Sequence, residues 1–481
     1  MRILSVTSEA FPLVKTGGLA DVAGALPLAL ERQGIEVRTF LPGYPGVMAK
    51  LDGAGQSVHE FHSLLGARAR ILSAKVAGLD LLVLDAPELF DRPFGPYGGP
   101  DGDYDDNWRR FAAFAKAAAE VAAGAIPGFR PDLVHAHDWQ AGLVPAYLRY
   151  YGIPTPSILT IHNLAFQGYF PAHVFSWLDL PPQAFALDGV EYYGGVGFLK
   201  AGLANATALT TVSPTYAEEI ATPGGGMGLD GLIGTRAGAL TGIVNGIDDR
   251  AWDPATDPLL AARFCADDVS GRAANRAAAE KAFHLTADDT PLFVVISRLT
   301  GQKGIDLLVE ASDELVAQGA RLAVLGTGDP TLEAAFLGLA ADHPGRIGAR
   351  IGYDEALAHV MQGGADAILI PSRFEPCGLT QLCGLRYGCI PVVSRVGGLA
   401  DTVIDANIAA INAGVATGVQ FQPVDAGGLR HGIRRALTLM RQPDTWAMIQ
   451  RQAMAADVSW DRSARLYANL YASLLPEGSD A

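Results

Sequence analysis

Apolar residues along this chain follow two rhythms. Short continuous runs that close on a polar residue or glycine occupy positions 3–8, 37–42, 81–85, 133–138, 158–163, 209–213 and 243–248. Between several of them the apolar positions recur every three or four residues, as at 19–33 and 108–123. A run that is apolar throughout suits a strand covered on both faces, and the helical period suits the segments that cover it. The second half repeats the scheme, with runs at 292–297, 322–326, 367–372 and 390–394 and a helical stretch at 304–318. The pattern predicts an α/β fold with two doubly wound parallel sheets, not one closed eight-stranded barrel.

Turn signals crowd into residues 245–257, where Asn245-Gly246, Asp248-Asp249 and Asp253-Pro254 follow in quick succession. They divide the chain into two predicted doubly wound domains, 1–247 and 248–481. Residues 259–285 read as a helix leading into the second sheet, and about 460–475 as a final helix. The pentapeptide Gly-Gly-Leu-Ala-Asp occurs at 17–21 and again at 397–401, each time ahead of a helix. With 56 glycines in the chain, coincidence stays open. Taken at face value, the repeat predicts two equivalent anion sites facing each other. Open α/β sheets bind ligands beyond the carboxyl ends of their strands, so the site is expected in a cleft between the two halves.

Composition narrows the function. The 481 residues carry 36 Lys and Arg against 51 Asp and Glu, a net charge of −15, which disfavours a nucleic-acid or anionic-membrane partner. Hydrophobic residues make up 49%, too many for a disordered chain. The longest apolar candidate, 111–126, is interrupted by Lys116 and Glu120, and the run after Arg2 is too short for a signal-peptide core. Four cysteines without a CxxC pair point away from disulfides and structural zinc. A cytoplasmic, multidomain protein is expected.

Four segments carry candidate chemistry. In Lys15-Thr16-Gly17-Gly18 adjacent glycines let the backbone approach a phosphate ahead of a helix N-terminus, with Lys15 adding a charge. A flexible loop with a solvated lysine is the plain alternative. The pattern is neither GxGxxG nor a Walker loop, which disfavours nicotinamide enzymes and P-loop NTPases. In His135-Ala136-His137-Asp138-Trp139 the two histidines share one face of a strand and point toward the cleft. The spacing leaves a metal open; the preferred reading makes one histidine structural and gives Asp138 to sugar hydroxyls. His162-Asn163 likewise emerges from an apolar run, with a satisfied core histidine as the alternative.

Arg298 and Lys303 flank a glycine-containing loop and suit a pyrophosphate clamp, unless they are two unrelated surface cations. In 371–380, Glu375 falls in a loop after a buried strand, and Gly378-Leu379-Thr380 opens a helix. A carboxylate there can hold sugar hydroxyls while the helix start receives phosphate; a solvated loop carboxylate is the alternative. Cys377 lacks the histidine partner that a nucleophile needs.

Together these motifs resemble the bacterial glycogen synthase and plant starch synthase family. KTGGLAD, HAHDW, HNLAFQG, NGID, SRLTGQKG, IGY, PSRFEPCGLTQL and GGLADT stand in that family's order between residues 15 and 402. The resemblance implies a GT-B type glycosyltransferase of two Rossmann-like domains facing a deep cleft, with an acceptor-side first domain and a nucleotide-sugar-binding second domain whose last helix returns to the first. It implies retaining glucosyl transfer from ADP-glucose to an α-1,4-glucan such as glycogen, without cofactor or metal. Carried over residue by residue, Lys15 and Gly18 lie near the donor, and Asp138 and His162 near its glucosyl group. Asn245 faces the donor, Arg298 and Lys303 take the diphosphate, Tyr353 stacks on adenine, and Glu375 holds glucose hydroxyls. Cys377, Gly378, Leu379 and Thr380 offer phosphate their amides and the Thr380 hydroxyl. Tyr97 matches an aromatic position near the donor. Cys383 stands where the wider class of retaining transferases has a second glutamate, which favours the glycogen and starch branch, and Gly301 replaces a commonly larger residue.

Two rivals come from other classes. A sugar-nucleotide epimerase would share the diphosphate clamp without lengthening glucan. A non-catalytic glucan-binding protein would have little use for Lys15, Arg298 and Lys303 together. A glucan phosphorylase requires a cofactor lysine in a much longer chain.

Overall fold

The computed structural model describes residues 1–475. Two compact units emerge, one formed by Met1–Asn245 with the final helix Trp460–Leu474, the other by Gly246–Ser459.

The first unit is built on a nine-stranded sheet. From one edge its parallel part runs Leu240–Gly242, Ala208–Thr211, Ser157–Ile161, Leu133–His137, Arg2–Val6, Glu36–Pro42 and Leu79–Asp85. Ile3 lies opposite Leu133 on one side and Val37 on the other. Most residues of the central strands are buried, as strands covered by helices on both faces require. An antiparallel hairpin, Gln56–Leu64 and Ala67–Val76, extends the far edge. The apolar-run pattern missed it because its residues alternate between buried and exposed, as an edge with one wet face should.

Around Leu133–His137 and Arg2–Val6 pack the helix Gly18–Glu31 and the final helix. Trp460, Ala464, Tyr467 and Tyr471, spaced at helical intervals, are buried with Val22, Leu26 and Leu30 of the first helix. Burial of this aromatic stripe, at about 25 cal/mol per Å² of apolar surface, holds the helix to the unit.

The second unit holds a six-stranded, wholly parallel sheet in the order Ile347–Ile351, Arg321–Gly326, Leu292–Ile296, Ala367–Ile370, Ile390–Ser394, Val419–Phe421. Numbered along the chain, that order is 3-2-1-4-5-6, the arrangement of dinucleotide-binding sheets.

Three local expectations change. Residues 243–248 are not a strand: the edge strand is Leu240–Gly242, after which the Ile247 N–H turns to the Val458 carbonyl at 2.9 Å. The outgoing and returning segments thus run together at Ile247 and Ser459. Of 259–285 only Arg272–Ala282 is helical. The approach is instead folded around the buried Asp257 carboxylate, which takes His359 Nδ1 and the Tyr387 hydroxyl, both at 2.6 Å.

The repeated pentapeptide also diverges. Gly17-Gly18 opens a fourteen-residue helix, whereas Gly397-Gly398 opens one of six residues. The Gly398 N–H donates to the Glu375 and Pro376 carbonyls, and a Cβ there would lie 2.2 Å from the Cys377 carbonyl oxygen. The second glycine pair serves close backbone packing, so the expectation of two equivalent anion loops fails.

Candidate active site

In the first sheet, growth reverses direction between Arg2–Val6 and Leu133–His137. Loops leaving such a reversal diverge and open a crevice beyond the strand ends. Glu9, three residues past its strand, is 3% exposed there. Its Oε2 accepts from the Thr16 N–H at 2.5 Å and the Gly17 N–H at 3.3 Å. Its Oε1 accepts from the Thr16 hydroxyl at 2.5 Å and the Tyr97 hydroxyl at 2.6 Å. Amides that the sequence alone would offer to a phosphate therefore hold an internal carboxylate. That carboxylate ties the Lys15–Gly18 loop to Tyr97, whose hydroxyl also bonds Ser8 at 2.7 Å. Burial beside Glu9 pushes the Tyr97 phenol well up. Lys15 pairs with Asp21 at 2.8 Å and sits 5.3 Å from the Phe11 ring centre. Glu9 was missed because a single carboxylate after a strand is an unremarkable pattern; only its four donors distinguish it.

Asp138 follows the neighbouring strand. Its backbone has φ +54° and ψ −169°, a region nearly reserved for glycine, which costs about 1–3 kcal/mol in a non-glycine residue. The carboxyl is 7% exposed and accepts from the His162 N–H at 2.7 Å. Burial raises it to about 7, against the pull of the His162 and Asn163 amides. Strain and a poised carboxyl at one residue are the usual signs of a working position.

The histidines lie deeper than the sequence suggested. His135 and His137 do share a face, but both are buried and do not reach the crevice. His135 is held by the Thr160 hydroxyl at 2.5 Å and the Tyr471 hydroxyl of the final helix at 2.8 Å. His137 meets Ser5 Oγ at 3.2 Å through Nε2 and His162 Nε2 at 3.0 Å through Nδ1. Burial pushes all three rings down, His137 to about 3, so they are neutral at physiological pH. Among the described residues no group of three or more His, Cys, Asp or Glu is placed to hold a metal ion.

The second sheet reverses between Leu292–Ile296 and Ala367–Ile370, and the remaining candidates gather at the carboxyl ends of those strands. Gly304, with φ +64°, lets the 297–304 loop reach the next strand end; a Cβ there would come within 1.9 Å of the Pro371 carbonyl oxygen. Arg373 fastens the same two loops, pairing with Asp306 through two 2.6 Å bonds and with the Gly301 carbonyl. Lys303 Nζ lies 2.6 Å from Glu375 Oε2, which also accepts from the Ser372 hydroxyl at 2.8 Å. The expected cation and the expected sugar-binding carboxylate are thus partners of each other. Arg298 is exposed; its carbonyl accepts from the Ser297 hydroxyl at 3.0 Å and the Thr300 N–H at 3.1 Å, while its guanidinium makes no hydrogen bond or ion pair among the described residues. Gly378, at φ +74°, turns the chain into the helix Thr380–Tyr387. Gln381 steadies that turn through the Cys377 and Gly378 carbonyls, both at 2.9 Å.

Two candidates stand apart from these groups. Tyr353 is 73% exposed beyond the edge strand Ile347–Ile351, with its hydroxyl on Glu355 at 2.5 Å. Asn245 is buried at the end of the first unit, and its side-chain oxygen has no hydrogen-bond partner, an unmet acceptor of the kind a ligand can satisfy.

Comparison with known proteins accords with this arrangement. Residues 2–235 match the family model described as the starch synthase catalytic domain, and 277–452 that of glycosyl transferases group 1. Two parallel α/β domains with these matches define a glycosyltransferase of the GT-B type. Over 99% of both chains, the sequence is 60% identical to glycogen synthase from Novosphingobium aromaticivorans and likewise to that from Mesorhizobium japonicum. The catalytic domain of starch synthase IV from Arabidopsis thaliana, solved bound to ADP and acarbose, superposes with a TM-score of 0.87 at 31% identity, covering 98% of each chain. Sucrose-phosphate synthase from Thermosynechococcus elongatus shares the fold at a TM-score of 0.60 and 20% identity, over 98% of each chain. The chain belongs to the glycogen synthase family, and its activity is glucosyl transfer in glycogen synthesis. No helix among the described residues is long and apolar enough to cross a membrane.

Proposed function

We propose that the protein transfers glucose from ADP-glucose to the non-reducing 4-hydroxyl of an α-1,4-glucan, with retention of configuration, in the cytoplasm and without a metal or cofactor. The observation that carries this reading is the pairing of Lys303 with Glu375 at the crossover of the second sheet, 2.6 Å apart and largely buried. A diphosphate arriving there competes for the lysine, and the glucosyl hydroxyls compete for the carboxylate, so one donor molecule replaces one internal ion pair. Arg298 and the amides of Cys377, Gly378, Leu379 and Thr380 complete the diphosphate site, and Tyr353 supplies the face for adenine. Negative charge developing on the leaving ADP is then met by Arg298, Lys303 and the start of the Thr380–Tyr387 helix.

On the first unit, Asp138 and His162 are assigned to the glucosyl group, with Lys15, Gly18, Tyr97 and Asn245 around the donor. Retention is assigned to attack from the face of the departing phosphate, which takes up the acceptor proton. The family's activity and the 31% identical starch synthase solved with ADP support the choice of donor.

The test is glucose incorporation into glycogen from ADP-glucose and UDP-glucose in parallel, first without added metal and then with chelator. Chelator-resistant incorporation from ADP-glucose alone is expected. Preference for UDP-glucose, or loss of activity with chelator, would overturn the corresponding part of the proposal.

A further inference from the structure

The buried histidines suggest how His162 is prepared for its ligand. Ser5 Oγ, His137 and His162 form a single hydrogen-bonded line: Oγ to Nε2 at 3.2 Å, then Nδ1 to Nε2 at 3.0 Å. Ser5 and His137 are buried, while His162 is half-buried at the crevice end of its strand. The remaining ring nitrogen, His162 Nδ1, has no partner among the described residues and does not belong to the buried unpartnered atoms. The His162 backbone is fixed independently, by its N–H on Asp138 Oδ1 at 2.7 Å. Both the position of the ring and its free edge are therefore set by the protein.

A neutral imidazole carries one N–H and one lone pair, so the direction of the line decides what His162 presents. In one direction Ser5 donates to His137 Nε2, His137 Nδ1–H donates to His162 Nε2, and His162 keeps its hydrogen on Nδ1. In the other, His162 donates to His137, and His137 donates to Ser5. The Ser5 hydroxyl hydrogen then needs an acceptor, and no bond of Ser5 Oγ other than that to His137 is present among the described residues. A buried hydroxyl donor left unpaired loses its hydration without compensation. The first direction satisfies every buried hydrogen in the line.

We infer that His137, held by Ser5, is a positioning residue that fixes His162 as the Nδ1–H tautomer, so that His162 offers the donor's glucosyl group a hydrogen-bond donor and not a base. The functional half of this inference rests on the proposed assignment of His162 to the glucosyl group; the tautomer does not. A sugar hydroxyl with a lone pair is the partner such an edge recognises. The neutral ring also avoids placing a cation beside the positive charge that develops on the sugar as its bond to phosphate breaks.

The experiment uses the full chain labelled with ¹⁵N-histidine, with the His162 and His137 signals assigned by their loss in His162→Gln and His137→Gln. The expected spectrum gives His162 a protonated, pyrrole-like Nδ1 and an unprotonated, pyridine-like Nε2. Ser5→Ala should move both nitrogens toward an average of the two tautomers. It should also lower kcat for ADP-glucose about tenfold, the scale of one lost or misdirected hydrogen bond, while leaving the Kd of ADP, which carries no glucosyl group, unchanged. Ser5→Thr, which keeps the hydroxyl, should restore both. A pyrrole-like Nε2 in the unaltered chain, or Ser5→Ala at full kcat with an unchanged spectrum, would overturn the inference. Full activity in His162→Ala alongside the expected spectrum would sink the glucosyl assignment and leave the tautomer standing. The reverse spectrum with an inactive His162→Ala would do the opposite.

Discussion

Replacing Asp138 with asparagine tests whether the protein keeps a destabilising acid for the sake of its chemistry. The carboxyl is raised from 3.8 to about 7 by burial. Between those two values the folded chain holds a proton that the unfolded chain has released. Raising the pH therefore favours the unfolded state, at about 1.4 kcal/mol per pH unit, until the folded carboxyl also ionises near 7. From pH 5 to pH 9 the unaltered protein should lose roughly 3 kcal/mol of stability through this group alone. Asparagine has nearly the same shape, still accepts from the His162 N–H, and has no charge to bury. Urea denaturation of both proteins at pH 5, 7 and 9 isolates the effect. The stability difference should shift in favour of Asp138→Asn by about 3 kcal/mol across that range, most of it below pH 7. Activity should move the other way. The unaltered enzyme should gain activity as the carboxylate forms near pH 7, and the variant should lack that limb and most of its rate. A difference in stability that stays level from pH 5 to pH 9 would refute the account.

Three further outcomes are expected. Lys303→Ala removes the cation proposed for the diphosphate and leaves the Glu375 carboxylate with only Ser372; kcat with ADP-glucose should fall at least about a hundredfold, and an unaltered kcat would exclude Lys303 from the clamp. Glu9→Gln keeps the size but turns an amide group toward donors that need an acceptor, so thermal unfolding should show a loss of about 1–3 kcal/mol, with ADP-glucose KM raised as the Lys15–Gly18 loop loosens. Gly304→Ala forces a Cβ to within 1.9 Å of the Pro371 carbonyl oxygen at a positive φ; calorimetric titration with ADP should show binding weakened at least about tenfold, because the 297–304 loop must move by more than a side chain can absorb.

The sheets were legible because strands buried on both faces carry continuous apolar runs, and the chain writes that directly, as at 81–84 and Leu292–Ile296. The hairpin at 56–76 was not legible in the same way, since alternating residues dilute an apolar run. Motifs identified the candidate residues and, through their order, the family. They could not reveal that Lys303 and Glu375, seventy-two residues apart, share one hydrogen bond. Nor could they show that Gly17 and Thr16 bind the protein's own Glu9.

Local sequence determined most of the parallel strands and which side chains stand at their ends. Those properties depend on near neighbours: the period of apolar positions, and the freedom or restriction of single residues. Tertiary structure alone decided which polar groups meet. It buried His137 between Ser5 and His162, from three separate strands, and held His135 against Tyr471 of the final helix. It also removed water from Asp138, lifting its carboxyl to about 7. Desolvation and hydrogen-bond direction are properties of what surrounds a group in space, and along the chain those surroundings lie up to 336 residues away.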